Sequence, residues 1–242
     1  MQKPDLDRAI EIAPGTYWVG FDDEKAGLRC NPYIIVDGDE AVLIEPGSVP
    51  HFPIVLRKVA SVVDLREIST IIVSHQDPDL CAAIPRFEEV LGPGLKVATH
   101  SRAAILIQHY GLSSPFYHVD QNGWELTLKS GRKLKFIFAP YLHFPGAFMT
   151  YDPVTKILFS GDLFGAFSFD WSLYAGEFYE EAMKAFHENY MPSQEILARA
   201  MDKLEHLEIA MIAPQHGSII CDNPRHYINV LRNLDCGDYM LE

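Results

Sequence analysis

The amino-acid sequence predicts an α+β protein in which two β-sheets pack face to face, with helices on the outside. Two observations predict this class. Apolar runs typical of buried strands occur in both halves of the chain, and segments with helical periodicity are interleaved with them. No linker or low-complexity stretch divides the 242 residues, and this length is compatible with one large two-layered domain.

The first half of the chain begins with strands and then alternates strands with helices. An Asp-Gly pair within residues 37–40 predicts a hairpin turn. The predicted strands of this half are 16–20, 33–36, 41–45 and 70–73. The predicted helices are 52–63, 79–91 and 101–110, and a Gly-Pro-Gly breaker at 92–94 ends the second of them.

The second half repeats this theme and ends in helices. The predicted strands are 125–128, 134–138, 147–151, 157–160 and 209–213. Helical periodicity then extends over 177–207 with a break near 191–193, and one more helix is predicted over 224–234.

Charge and composition exclude several classes of partner. A formal net charge of -13 without a basic patch argues against nucleic acid and against an anionic membrane surface. The sequence contains no apolar run of membrane-spanning length, and its first 14 residues do not resemble a secretion signal. The four cysteines form no CxxC pair and no evident disulfide framework, so we expect a cytoplasmic protein.

Six histidine and aspartate residues form the candidate metal site. Each group of them follows one of four predicted strands, so we expect their loops to leave the same edge of a sheet and to converge. Imidazole and carboxylate donors without a thiolate suit iron, manganese or zinc, and six of them predict a two-metal site. The candidate ligands are His75, Asp77, Asp79, His143, Asp162 and His216.

The segment His-Gln-Asp-Pro-Asp-Leu at 75–80, with the later ligands, resembles the metallo-β-lactamase superfamily over nearly the full chain. Hydrolases of that superfamily carry a His-x-His-x-Asp-His cluster. A carboxylate in its second ligand position is similar to the flavodiiron proteins, whose cluster is His-x-Glu-x-Asp. The spacings agree as well, with 162 − 143 = 19 and 216 − 162 = 54 positions between the later ligands. The resemblance implies a metallo-β-lactamase-like αββα sandwich that forms a single domain over residues 1–242.

The resemblance also implies which residues hold which metal. One iron is assigned to His75, Asp77 and His143, the other to Asp79 and His216, and Asp162 bridges both. Two departures matter. Asp77 stands where flavodiiron proteins usually have Glu, and Leu80 stands where the hydrolases have a further histidine ligand. The second metal is therefore expected to have fewer protein ligands and an open position.

Only 242 − 216 = 26 residues follow His216, too few for the FMN-carrying flavodoxin domain of flavodiiron proteins. We therefore expect no flavodoxin domain and no FMN in this chain. This pattern resembles the stand-alone oxygen-binding diiron proteins. That family implies two iron ions that bind dioxygen, with nitric oxide as an alternative ligand, in a homodimer. It implies an oxygen or redox sensor read out by a signalling receptor and kinase, or a slow reductase served by a separate reductase.

A rival interpretation is a dizinc hydrolase of the same fold, acting on an ester, thioester or phosphodiester through a metal-bound hydroxide. The loss of one histidine and the absence of a basic pocket signature argue against it.

Two further groups of residues bear on the site. Aromatic side chains near the ligand loops predict either an apolar pocket for a neutral diatomic gas or ordinary core packing. They are Phe144, Phe148, Phe164, Phe167, Phe169, Trp171 and Tyr174. The remaining histidines match no ligand pattern and are expected to be ordinary surface or core residues: His51, His100, His109, His118, His187, His206 and His226.

Overall fold

A computed structural model describes residues 4–22, 28–167 and 171–237 of the chain. Two compact units contain them. The first unit takes in the described residues of 1–23 and 30–133, and the second takes in those of 24–29 and 134–242. Phe169, one of the aromatic residues that the sequence analysis singled out, lies outside the described residues.

A seven-stranded sheet dominates the first unit, with its strands side by side in chain order. The strands are β1 (Ile10–Ala13), β2 (Thr16–Trp18), β3 (Tyr33–Asp37), β4 (Glu40–Ile44), β5 (Ile68–Ile72), β6 (Lys96–Thr99) and β7 (Phe116–His118). Strands β1 to β4 are antiparallel neighbours, and β4 to β7 are parallel. The predicted Asp-Gly turn is confirmed, because Asp37 pairs with Glu40 at the end of the β3–β4 hairpin.

Short helices connect the parallel strands of the first unit, because parallel neighbours need a crossover connection. They are α1 (Phe52–Val59), α2 (Pro78–Cys81), α3 (Ile84–Leu91) and α4 (Ser101–Ile107). A further strand, β8, covers Glu125–Thr127.

The predicted helix 79–91 is wrong in one respect, because it is divided into α2 and α3. The Ala83 N–H donates to the Gly47 carbonyl oxygen at 3.0 Å and so leaves the helical hydrogen-bond pattern. Pro85, which has no N–H to donate, then sits in the first turn of α3, the position that proline favours.

The second unit contains four strands whose spatial order is β12-β11-β10-β9. Their bounds are β9 (Lys133–Phe138), β10 (Phe148–Asp152), β11 (Ile157–Phe159) and β12 (Met211–Ala213). Three helices follow the predicted pattern, including the break near residue 191: α5 (Tyr179–Tyr190), α6 (Gln194–Lys203) and α7 (Pro224–Arg232). Met183, Phe186 and Met201 are fully buried in the core of this unit.

Strand direction decides where the candidate ligands lie. Strand β10 is antiparallel to β9 and to β11, and β12 is parallel to β11. Strands β9, β11 and β12 therefore run the same way, and the loops that follow them leave the same edge of one sheet. The expectation of one shared edge is correct for these three loops, whereas the loop that carries His75 follows β5 in the other sheet.

Among the described residues, the helices are too short or too polar for any of them to cross a lipid bilayer.

Lys58 on α1 is a buried cation in the first unit, with 2% of its surface exposed. Its ammonium donates to the carbonyl oxygen of Leu6 at 2.6 Å and to that of Gly20, and it lies 4.3 Å from the centroid of the Trp18 ring. Burial lowers the pKa of Lys58 from 10.5 to about 8.

This pKa predicts a pH dependence of stability. Between pH 8 and 10.5 the folded chain has lost a proton that the unfolded chain still binds, so the free energy of unfolding should rise with pH. In Lys58→Met this rise should be smaller by on the order of 1–3 kcal/mol. Urea unfolding on either side of this window measures it, with Lys135→Met, at an exposed lysine of β9, as the control. Parallel curves for wild type and Lys58→Met would contradict the prediction.

Candidate metal centre

The loop after β5 carries three of the six candidate ligands in the first unit. His75 is buried with 1% exposed, and its Nδ1 lies 3.0 Å from the Ser74 hydroxyl oxygen. The Ser74 N–H in turn donates to Glu45 Oε1 at 2.9 Å, which anchors the start of the loop to the end of β4. Such contacts to the far ring nitrogen orient a histidine that uses Nε2 as a metal ligand.

Asp77 and Asp79 differ in their surroundings. The Gln76 amide donates to Asp77 Oδ1 at 2.7 Å, and the other oxygen, Oδ2, lies 3.6 Å from His75 Nε2. Asp79, in the first turn of α2, accepts at Oδ2 from the thiol of Cys30 at 3.5 Å. The three candidate ligands of this loop thus form one pair, His75 with Asp77, and one separate carboxylate beside a cysteine.

Asp162 organises the three candidate ligands of the second unit. Its side chain is 3% exposed, and its two oxygens face two different histidines. Oδ2 lies 2.9 Å from His143 Nε2, and Oδ1 lies 3.6 Å from His216 Nε2. One carboxylate oriented in this way can bind two metals, one through each oxygen.

His216 is held in a definite orientation by the main chain. Its Nδ1 donates to the Arg29 carbonyl oxygen at 2.9 Å, since a carbonyl can only accept. In the neutral ring, Nε2 therefore presents a lone pair toward Asp162 Oδ1. The lone pairs of His216 Nε2 and Asp162 Oδ1 repel each other. A metal cation that binds both atoms would remove this repulsion.

The separations also fit metal ligation. Two ligands bonded to one metal at about 2.0–2.2 Å lie roughly 2.8–3.6 Å apart at octahedral or tetrahedral angles. The distances within the two units are 2.9 Å for His143 and Asp162, 3.6 Å for His216 and Asp162, and 3.6 Å for His75 and Asp77. The chemistry and spacing of these donors are suited to first-row metal ions.

Helix α5 braces the loop that carries Asp162. Phe164 has a φ of 64°, a conformation that side-chain-bearing residues rarely adopt. His187 Nε2 accepts from the Phe164 N–H at 3.0 Å, and the Tyr179 hydroxyl donates to the Phe164 carbonyl at 2.7 Å. Burial lowers the pKa of His187 to about 4, which keeps the ring neutral and its Nε2 able to accept.

The Tyr179 hydroxyl also connects this loop to the one that carries His216. It accepts from the Ser218 N–H at 3.1 Å, and the Gln215 N–H donates to the Gly161 carbonyl at 2.8 Å. Gly217 permits the approach because it has a φ of +79°, and a Cβ there would lie 2.5 Å from the Tyr179 hydroxyl. The Asp162 and His216 loops are therefore fastened to each other and to α5.

The sequence analysis left open whether the aromatic residues line an apolar pocket or pack in the core, and the structure divides them into two groups. Phe148 and Phe164 are buried in the protein core, at 1% and 0% exposed. Phe167 instead packs against Phe186 and Tyr190 of α5, at centroid distances of 5.4 and 6.1 Å. These two α5 rings in turn lie beside candidate ligands, Tyr190 at 6.1 Å from the His143 ring and Phe186 at 6.0 Å from the His216 ring.

Sequence reasoning missed the residues of α5. His187 was expected to be an ordinary surface or core histidine, and it is a buried core residue. The sequence did not show its contact to a main-chain N–H 23 positions away, in the Asp162 loop. Phe186 and Tyr179 follow the apolar stripe of an amphipathic helix, which has the same pattern whether it faces a core or a site.

Comparison with known proteins supplies the family. Residues 28–217 match the family described as ODP family beta lactamase. The chain is 27% identical over 242 residues to a nitric oxide reductase of Moorella thermoacetica, covering 92% of this chain and 60% of that protein. Two solved structures of a chemotaxis sensor ODP also align. The apo state from T. denticola has a TM-score of 0.81 and 29% identity over 95% of both chains. A peroxy diiron species has a TM-score of 0.79 and 27% identity over 95% of this chain and 96% of the other.

The chain spans 60% or less of the length of the first curated relatives that it matches. The family match, by contrast, covers well over half of this chain. The protein therefore belongs to the ODP family of beta-lactamase-like proteins and has their metallo-β-lactamase-like fold.

Proposed function

We propose that this protein is a non-haem diiron protein that binds dioxygen, with nitric oxide as an alternative ligand. One observation carries the proposal, namely that the two oxygens of the buried Asp162 carboxylate face two different histidines. A bridging carboxylate in this orientation is the arrangement that two adjacent metals require. Membership of the ODP family supports iron as the metal, because one solved relative is a peroxy diiron species.

The proposed ligand assignment follows the family pattern. His75, Asp77 and His143 hold one iron, Asp79 and His216 hold the other, and Asp162 bridges them, with residues 1–242 acting as one diiron domain. Ferrous iron, when bound, supplies the electron density that a diatomic gas needs for ligation. Histidine and carboxylate donors suit this metal in both of its common oxidation states.

The surrounding residues keep the site ordered and apolar. Phe186 and Tyr190 stack on each other at 4.7 Å and lie beside His216 and His143 respectively. Apolar rings at this position favour a small neutral ligand over water and anions. The neutral His187 adds no charge beside Asp162, so the charge of the carboxylate remains available to metals.

The dizinc hydrolase of the same fold is not favoured. The relatives that this chain resembles include a nitric oxide reductase and a chemotaxis sensor. A carboxylate at Asp77 adds oxygen donation, which suits iron better than zinc.

The proposal extends to partners and location. A sensor role requires a signalling receptor and kinase that read out the bound gas, and a slow reductase role requires a separate reductase as electron donor. We place the protein in the cytoplasm as a homodimer. The absence of disulfides among the four described cysteines supports a reducing compartment.

The metal is tested by the iron content of protein purified under anaerobic, iron-replete conditions. Wild type should hold close to two irons per chain, and His143→Ala or Asp162→Ala should lose most of them, because each removes a donor to one or both metals. His206→Ala, at an exposed position of the second unit, is the control and should keep both irons. Zinc as the native metal, with hydrolysis of a generic phosphodiester or thioester, would refute the proposal.

Gas binding is tested by exposing the diferrous protein to air without a reductant. A long-lived new absorption should appear instead of sustained oxygen consumption. Sustained consumption would need electrons from a separate reductase, which the experiment omits. Stopped-flow absorption and an oxygen electrode measure the two outcomes. Fast sustained turnover with NADH alone, or FMN that copurifies with the chain, would show that the electron supply has been misjudged.

The bracing of the two loops is tested at Tyr179 and Gly217. Tyr179→Phe removes the hydroxyl that joins Phe164 to Ser218 and should cost about 1–3 kcal/mol of unfolding free energy. Gly217→Ala should cost at least as much, because the new Cβ collides with that hydroxyl in a backbone conformation that alanine rarely adopts. Both should also weaken iron binding, as measured by competition with a chelator. Tyr227→Phe, a neighbouring ring at 6.1 Å, is the control, and equal iron affinity in all four proteins would argue against loop bracing.

A further inference from the structure

Cys30 lies beside one of the proposed ligands. Its side chain is buried with 6% exposed, and its Sγ donates to Asp79 Oδ2 at 3.5 Å. Cys81, the other buried cysteine, instead directs its thiol to the main-chain carbonyls of Gln76 and Asp77 at 3.4 and 3.1 Å. The two thiols therefore differ, since one contacts backbone and the other contacts a proposed metal-binding carboxylate.

We propose that the Cys30 thiolate is a further ligand of the second iron, the one assigned to Asp79 and His216. This inference rests on the diiron function proposed above and adds a sulfur donor to its histidine and aspartate ligands. With Leu80 in the position where related hydrolases carry a histidine, the second iron otherwise has only Asp79, His216 and the bridging Asp162. A fourth protein donor fills a further position of a coordination shell that three protein donors leave open.

The peptide group between Arg29 and Cys30 is linked to both His216 and the Cys30 thiol. Its carbonyl oxygen belongs to Arg29 and accepts the hydrogen bond from His216 Nδ1 at 2.9 Å. Its nitrogen belongs to Cys30, so the group that orients His216 is covalently joined to the residue that carries the thiol. The Arg29 guanidinium lies 4.7 Å from the centroid of the Trp171 ring, and the Trp171 indole donates to the Gly217 carbonyl at 2.8 Å. Arg29 is thus fixed from both its main chain and its side chain.

The distance between the sulfur and the carboxylate fits shared ligation. A thiolate at about 2.3 Å and a carboxylate oxygen at about 2.1 Å from one metal lie roughly 3.1–3.6 Å apart at octahedral or tetrahedral angles. The observed separation of 3.5 Å between Cys30 Sγ and Asp79 Oδ2 lies in this range. Ligation breaks the S–H bond, forms a sulfur–iron bond and releases the proton to solvent, with no change in the oxidation state of either atom.

A thiolate ligand has a consequence for the iron that carries it. Sulfur donates more electron density than a carboxylate oxygen or an imidazole, and it shifts the preference of the site toward softer metal ions. The second iron is therefore the more electron-rich of the two, and its ferric form absorbs visible light through charge transfer from sulfur.

X-ray absorption and visible spectra of the iron-loaded full chain test the inference without any measurement of activity. Wild type should show a sulfur scatterer at about 2.3 Å and a sulfur-to-iron absorption band in the ferric state. Both signals should disappear in Cys30→Ser and Cys30→Ala, and iron in Cys30→Ala should fall from about two per chain toward one. Cys221→Ser removes an exposed thiol from the second unit and should change neither signal.

The outcomes separate this inference from the proposed function. Wild type with two irons and no sulfur scatterer overturns the role of Cys30 and leaves the diiron function intact. The same holds if Cys30→Ala keeps two irons and an unchanged spectrum. Wild type that binds no iron overturns both proposals. The wild-type sulfur signal decides the matter by itself if the Cys30 variants fail to fold.

Discussion

The buried Asp162 carboxylate, set between His143 and His216, is the constraint on which the second unit depends. A carboxylate with 3% of its side chain exposed is costly to bury unless cations or hydrogen bonds compensate its charge. The two histidines approach it from different oxygens, and α5 holds its loop from behind through Tyr179 and His187. Three features of the second unit position the loops around this side chain. They are the parallel pairing of β11 with β12, the left-handed conformation of Phe164 and the glycine at position 217.

The position of the candidate ligands just after strands could be predicted from sequence, because these residues have a simple local context. Each polar group follows an apolar strand, and this change of polarity is visible without any tertiary information. The positions of these strands were also accessible, since β9, β11 and β12 were each predicted to within a few residues. Strands β6 and β7 escaped prediction, because Lys96–Thr99 and Phe116–His118 are short and lack a clear alternation of polar and apolar residues.

The contacts that hold the ligands could not be predicted, because they join residues that are far apart in the chain. Cys30 and Asp79 are 49 positions apart, and His216 and Arg29 are 187 apart. A lone cysteine in an irregular segment gives no signal of its neighbours in space. His187 is similar, because a histidine on the inner face of an amphipathic helix has the same local pattern whether it fills a core or accepts from a ligand loop.

The parallel pairing of β11 with β12 has a consequence for how the site forms during folding. Parallel neighbours need a crossover, and here the crossover contains α5 and α6, so Asp162 and His216 meet only after closure of a long loop. The entropy of closing that loop is offset by apolar burial, because Met183, Phe186, Leu197 and Met201 are fully buried. The core of the second unit therefore stabilises the closed loop that brings Asp162 and His216 together.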